Sequence, residues 1–252
     1  KKTGTEYDPL GEVIITVGGS EAIDISIRSL VEPGDEVLVV EPSFVCYTPI
    51  VRMSGGIPVS IETKAENNFR LTADELREKI TDKTKLLILP YPNNPTGAIM
   101  EREDLESIAE VLRDTNIMII SDEIYAELTY GKKHCSIVEI KDMRERTVLI
   151  NGFSKAFAMT GWRLGYACAP EPVAKQIVKL HQYAIMCSPT VSQYAAIEAL
   201  ENCEDEVRKM VEEYNVRRRF VTDTFNRIGL SCFTPEGAFY VFPCIKSTGL
   251  SS

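Results

Sequence analysis

Short, unbroken apolar runs alternate along the chain with longer stretches whose apolar residues recur every three or four positions. VIITV (13–17), VLVV (37–40), IPVSIE (57–62), KLLILP (85–90), IMIIS (117–121) and TVLIN (147–151) are rich in β-branched residues and bounded by glycine, proline or charge. That pattern predicts strands. Between them, SEAIDISIRSLV, a stretch from Ser43, residues 73–80 and EDLESIAEVLRD (103–114) carry the helical period. Thr72 and Glu75 form a capping box for the third of these, while EPGDE and Gly55-Gly56 act as breakers. Continuous apolar strands alternating with amphipathic helices predict an α/β fold, a mainly parallel sheet flanked by helices. One further strand is expected after Arg163.

Beyond Pro170 the pattern becomes helical, through EPVAKQIVKLHQYA, SQYAAIEALEN and a long charged helix across 204–228. Its RRR run at 217–219 reads as a solvated face. LSCF and AFYVFP then read as strands opening a smaller α+β domain. The expected division is a large domain over 1–200, followed over 201–252 by a connecting helix and an incomplete small domain.

Composition narrows the function classes. With 252 residues, 44% of them hydrophobic, the chain can bury a sizeable core. A net charge of −9 argues against a nucleic-acid or anionic-membrane surface, though not against a local basic pocket. No apolar run reaches the 18 or so residues of a membrane span, and Lys1–Gly11 carries no signal-peptide core. Seven scattered cysteines without a C-x-x-C pair read as reduced thiols in a cytoplasmic compartment. Two histidines far apart in sequence, His134 and His181, offer little to a metal centre, so no metal is expected.

Against this background SKAFAMTGWRLG (154–165) is unusual. Between Thr147 and Pro170 the only charged residues are Lys155 and Arg163, in a chain where 26% are charged. An isolated ammonium in an apolar setting is costly unless something pairs with it or uses it. Three other loops at predicted strand ends hold polar groups, and ligands of open α/β sheets bind at that edge. VGGSEA offers Gly18, Gly19 and Ser20 as an anion-binding turn before a helix. PYPNNPTG offers Asn94 as a neutral donor. SDEIYAELTYG offers Asp122 at the sheet edge, with Tyr125 three residues on and on a similar side. Each alone has a bland reading: a tight turn, a structured turn, a helix start or a rim cation.

Together they supply an amine, a guanidinium, a carboxylate, a phenol, an amide and a glycine turn, the set that pyridoxal phosphate chemistry requires. The amine forms an imine with the aldehyde, which needs it neutral; burial and a cation such as Arg163 would lower its pKa. The carboxylate keeps the ring nitrogen protonated. The phenol and amide bond the ring oxygen, and guanidinium and glycine turn hold the phosphate.

These stretches, with EPGDEV, EPSFVCY and PEGAFYVFP, resemble the class I/II aminotransferases of the aspartate-aminotransferase superfamily (fold type I pyridoxal-phosphate enzymes), in order and spacing over essentially the whole chain. The resemblance implies pyridoxal 5′-phosphate as cofactor, bound covalently by Lys155, which then acts as base. It implies Asp122 at the ring nitrogen and Tyr125 and Asn94 at the ring oxygen. Ser154, Arg163 and the Gly18-Gly19-Ser20 turn would hold the phosphate, and Phe44 would stack on the ring. It further implies amino transfer from an L-α-amino acid to a 2-oxo acid, and a homodimer. The family's glycine-containing N-terminal loop, the tyrosine lent to the partner's site and the C-terminal carboxylate-gripping arginine are expected to lie outside these residues. Other fold type I reactions (C–S lyase, decarboxylase, acyl-condensing synthase) and a non-catalytic ligand-binding module are the alternatives.

Overall fold

A computed structural model describes residues 3–250. Seven strands form one sheet: β1 (Val13–Thr16), β2 (Glu36–Glu41), β3 (Ile57–Glu62), β4 (Thr84–Leu89), β5 (Met118–Asp122), β6 (Thr147–Gly152) and β7 (Gly165–Cys168). Their order is β1-β7-β6-β5-β4-β2-β3. β2, β3, β4, β5 and β6 pair in parallel, whereas β7 runs antiparallel to both β1 and β6. Because β1 and β6 both oppose β7, they point the same way. The carboxyl ends of β1, β2, β4, β5 and β6 therefore share one edge, and β7 starts from it.

The helices are α1 (Gly18–Leu30), α2 (Tyr47–Met53), α3 (Ala73–Lys79), α4 (Arg102–Leu112), α5 (Glu171–Ala184), α6 (Thr190–Asn202) and α7 (Glu204–Arg227). The two-residue alternation of the strands sorts their side chains onto two faces. Leu38, Val40, Leu87, Leu89 and Ile119 pack against Leu76 of α3 and Leu105, Ile108 and Leu112 of α4. Val37, Val39, Leu86, Ile88 and Ile120 pack against α1, α2 and α5 through Ile23, Ile27, Val51 and Ile177. Each such side chain contributes ~1.5–3 kcal/mol by leaving water. That is why strands buried on both faces read as unbroken apolar runs. The Thr72–Glu75 capping box is formed.

Three expectations are corrected. The stretch from Ser43 is a loop, and helix begins only at Tyr47. LSCF and AFYVFP are not strands: the region makes one isolated bridge, Gly237 to Thr129. It lies on the loops after β4 and β5, with single bonds from Glu236 N and Gly237 N to Gly97 O and from Ala238 N to Leu128 O. No ladder is offered to it there. Finally, RRR is not a uniformly solvated face. Arg217 and Arg219 pair with Glu213 and Glu212, but Arg218 is half-buried, 4.8 Å over the Tyr130 ring, and donates to Pro235 O. No helix of the described residues is long and apolar enough to cross a membrane.

Candidate active site

The shared edge carries a cavity of about 190 Å³. Nine of the ten residues singled out in the sequence line it: Gly19, Ser20, Phe44, Asn94, Asp122, Tyr125, Ser154, Lys155 and Arg163. Gly18 stands directly behind, where a Cβ would lie 2.5 Å from Arg163 Nη2. Its φ of +79° is a second reason for glycine, since it permits the turn from β1 into α1. No side chain caps the start of α1, so its first N–H groups, next to Gly19 and Ser20, face the cavity with a positive dipole end.

Asp122 ends β5 and is 6% exposed. Its Oδ2 accepts from Tyr47 Oη at 2.7 Å and its Oδ1 from Ile124 N at 3.2 Å. Burial pushes the carboxyl up, while these two donors and the Lys155 charge act in the opposite direction. Tyr47, the first residue of α2, is itself 2% exposed and was missed in the sequence. Tyr47 lies three residues after Phe44 in the EPSFVCY stretch, and the two rings meet edge-on at 6.0 Å.

Lys155 follows β6 in a turn. Its Nζ makes no hydrogen bond or ion pair among the described residues and sits 5.7 Å from the Tyr125 ring and 5.5 Å from the Phe239 ring. Burial, then Arg163, lower the ammonium pKa, opposed by Asp122. Arg163, in the left-handed region at φ +50°, spends one donor on Thr160 O at 2.9 Å and keeps the rest for the cavity. Ser154 is buried and Ser20 exposed; neither hydroxyl, nor the Asn94 amide, has a protein partner among the described residues.

The two asparagines of NNPTG divide their work. Asn93, 2% exposed, accepts from Thr96 N and Oγ1 at 3.0 and 2.8 Å and donates to Pro42 O. It holds the turn and leaves Asn94 facing the cavity. Tyr125 is 4% exposed, and its hydroxyl meets that of Tyr240 at 2.7 Å. Tyr240 lines the cavity, as does Thr160; neither was anticipated, although both lie in stretches singled out in the sequence, because nothing in SKAFAMTGWRLG or PEGAFYVFP marks these two side chains as facing the cavity. Behind the site, Glu123 accepts from Ser121, Ser136 and, at 2.7 Å, His134. The second histidine likewise meets a glutamate, His181 to Glu21 at 2.7 Å.

Comparison with known proteins shows the family and the fold. YugH of Bacillus subtilis (strain 168), named as an aminotransferase, is 49% identical over 246 residues, covering 98% of this chain and 64% of that protein. Aspartate aminotransferase of Pyrococcus abyssi (strain GE5 / Orsay) is 44% identical, covering 100% of this chain and 66% of that protein. The chain thus spans just under two thirds of these relatives. The crystal structure of an aromatic aminotransferase from Pyrococcus horikoshii OT3 superposes with a TM-score of 0.97 at 43% identity, covering 99% of this chain and 68% of that one. The sequence profile of aminotransferase class I and II matches residues 1–249, and the chain belongs to that family.

Proposed function

We propose that the protein is a pyridoxal-phosphate-dependent aminotransferase moving an amino group from an L-α-amino acid to a 2-oxo acid. The carrying observation is a partially buried lysine amine with no hydrogen bond or ion pair, held between an arginine and a buried carboxylate in a cavity rich in unused donors.

The residues fit a phosphorylated aromatic aldehyde. Ser20, Ser154, Arg163 and the uncapped start of α1 supply donors of the kind a phosphate dianion takes. Phe44 offers an aromatic face and Asn94 and Tyr125 offer donors for a ring oxygen. Asp122, steadied by Tyr47, is the acceptor for a ring N–H. Bound there, pyridoxal 5′-phosphate supplies the carbonyl carbon that takes up an amine and the ring that accepts electrons. Lys155 Nζ, its pKa lowered so that more of it is neutral, would attach the cofactor and, once the amino acid's own amine had displaced it, would take the proton from that amino acid's Cα.

Residues 1–200 form the cofactor-binding unit in this reading, and 201–252 supply the connecting helix α7 and the start of a small domain, whose Tyr240 returns to line the cavity. The copy number proposed is two. Tyr183 of α5, Met186 of the link after it and Val191, Tyr194 and Ile197 of α6 are exposed apolar residues, and clustered exposed apolar residues mark an interface. Ser192 Oγ, donating to Trp162 O at 2.7 Å, ties it to the turn that carries Arg163. Seven free thiols support a cytoplasmic location. The names of the relatives favour aspartate or aromatic amino acids as first donors to try.

Purified protein mixed with pyridoxal 5′-phosphate is expected to develop a visible absorption band and, with amino acid and 2-oxo acid, to form the exchanged pair. Lys155→Ala is expected to lose band and turnover together; their persistence would reject the assignment. Pyruvate with ammonia in place of a new amino acid would make it a lyase.

A further inference from the structure

Tyr240 is the one lining residue of the cavity supplied by the segment after α7. Among the described residues its hydroxyl has a single partner, Tyr125 Oη at 2.7 Å. The position is firmly built. Glu236 N and Gly237 N both donate to Gly97 O, Ala238 N donates to Leu128 O and Tyr130 N to Glu236 O. A Cβ at Gly237 would lie 2.6 Å from Pro92 Cβ, and one at Gly97 2.4 Å from Pro235 Cβ, so the segment and the NNPTG loop fit only without side chains there. The Glu236 carboxylate is gripped by Arg70 at 3.1 Å and Lys132 at 2.8 Å. Tyr240 is therefore located by the same two loops that carry Asn94 and Tyr125.

Two hydroxyls in contact carry two protons, and their mutual bond uses one. The other has no protein acceptor among the described residues and is left for the cavity. With an anionic oxygen bound next to Tyr125 and Asn94, the favourable order is Tyr240 donating to Tyr125 and Tyr125 donating to that oxygen. Donation into the Tyr125 oxygen makes its own O–H the stronger donor, because bonds in a chain polarise one another. The reverse order would turn the buried phenol away from the charge.

We propose that Tyr240 is a positioning residue that aims and polarises the Tyr125 proton toward the ring oxygen of the bound cofactor, an inference that rests on the function proposed above. A donor at that oxygen favours the form in which it carries the most negative charge, which is the form left after the linking nitrogen gives up its proton. Weakening the donor must therefore raise the pH at which that proton is lost.

The test is the pH titration of the visible band in wild type, Tyr125→Phe, Tyr240→Phe and the double variant, each loaded with pyridoxal 5′-phosphate. Tyr125→Phe is expected to raise the midpoint by about one pH unit, the scale of one hydrogen bond to a charged oxygen. Tyr240→Phe should raise it by about a third of that, the scale of cooperative strengthening. In the Tyr125→Phe background Tyr240→Phe should add nothing. An unmoved midpoint in Tyr240→Phe, or an equal shift with and without Tyr125, overturns the inference while leaving the proposed function intact. A wild type that forms no pH-dependent band overturns both.

Discussion

Gly161 and Gly165 flank Arg163 at two residues on either side, and the structure assigns them opposite sensitivities. A Cβ at Gly165 would lie 2.7 Å from both Gly18 C and Gly19 N and 3.1 Å from Asn151 O. These are backbone atoms of the first turn of α1 and of β6, so no side chain can swing aside. Ordinary contact begins at 3.4 Å, and the missing 0.7 Å must come from lifting the start of α1 off the sheet. Overpacking of this kind costs about 1–3 kcal/mol. The atoms displaced adjoin Gly19 and Ser20, which line the cavity. Losing one hydrogen bond to a charged oxygen there, about 1.4 kcal/mol, weakens binding roughly tenfold. At Gly161, by contrast, a Cβ meets no heavy atom within 4 Å and the backbone lies outside the left-handed region. Alanine there only restricts the unfolded chain, worth about 0.4–1 kcal/mol in favour of folding. Denaturant unfolding and titration with pyridoxal 5′-phosphate read both effects. Gly165→Ala should unfold earlier and bind about tenfold more weakly, and Gly161→Ala should do neither. Equal behaviour of the two variants, in either direction, would refute the close approach of α1 to β7.

The asparagine pair separates in the same way. Asn93→Ala should cost about 1–3 kcal/mol of stability, because it strands the buried Thr96 donors, whereas Asn94→Ala should spare stability and weaken cofactor binding; unfolding and titration of both variants decide. His134 yields a pH dependence: burial disfavours its charge, but Glu123 at 2.7 Å prevails and holds its pKa above the ordinary 6.5. A raised folded pKa stabilises fully below 6.5 and ceases to do so as pH rises through the folded value. Thermal midpoints should fall over that window in wild type and stay flatter in His134→Gln; parallel curves would remove the ion pair from the account.

What was legible in the sequence follows from where each residue sits relative to a strand end. Asp122, Lys155, Asn94 and the Gly18–Ser20 turn each stand at or within a few residues of the end of an apolar run. Once the runs are recognised as parallel neighbours, the shared edge brings their ends together without further information. The antiparallel β7 does not disturb this, because it begins at that edge and delivers Arg163 there from the opposite direction. The doubling in NNPTG concealed a division of labour that only burial reveals: Asn93 is enclosed by Thr96 and Pro42, and that enclosure turns its neighbour outward.

Two of the residues missed, Tyr47 and Tyr240, act on another residue, and their partners are remote in the chain. Tyr47 reaches Asp122 across 75 positions and Tyr240 reaches Tyr125 across 115. No periodicity links such pairs; only the packing of α2 against the sheet and of the 236–240 segment on Gly97 and Leu128 does. The same cause explains the misread strands. AFYVFP has strand composition, but a strand needs a neighbour, and this segment meets loops whose carbonyls it takes one at a time. Phe239 is spent on Tyr125, Tyr214 and the Lys155 amine, Tyr240 on Tyr125 and Phe242 on Phe69. Apolar content reports that a segment will be buried, and the chemistry at the sheet edge determines what buries it: here the segment closes one wall of the cavity and brings a second phenol to the first.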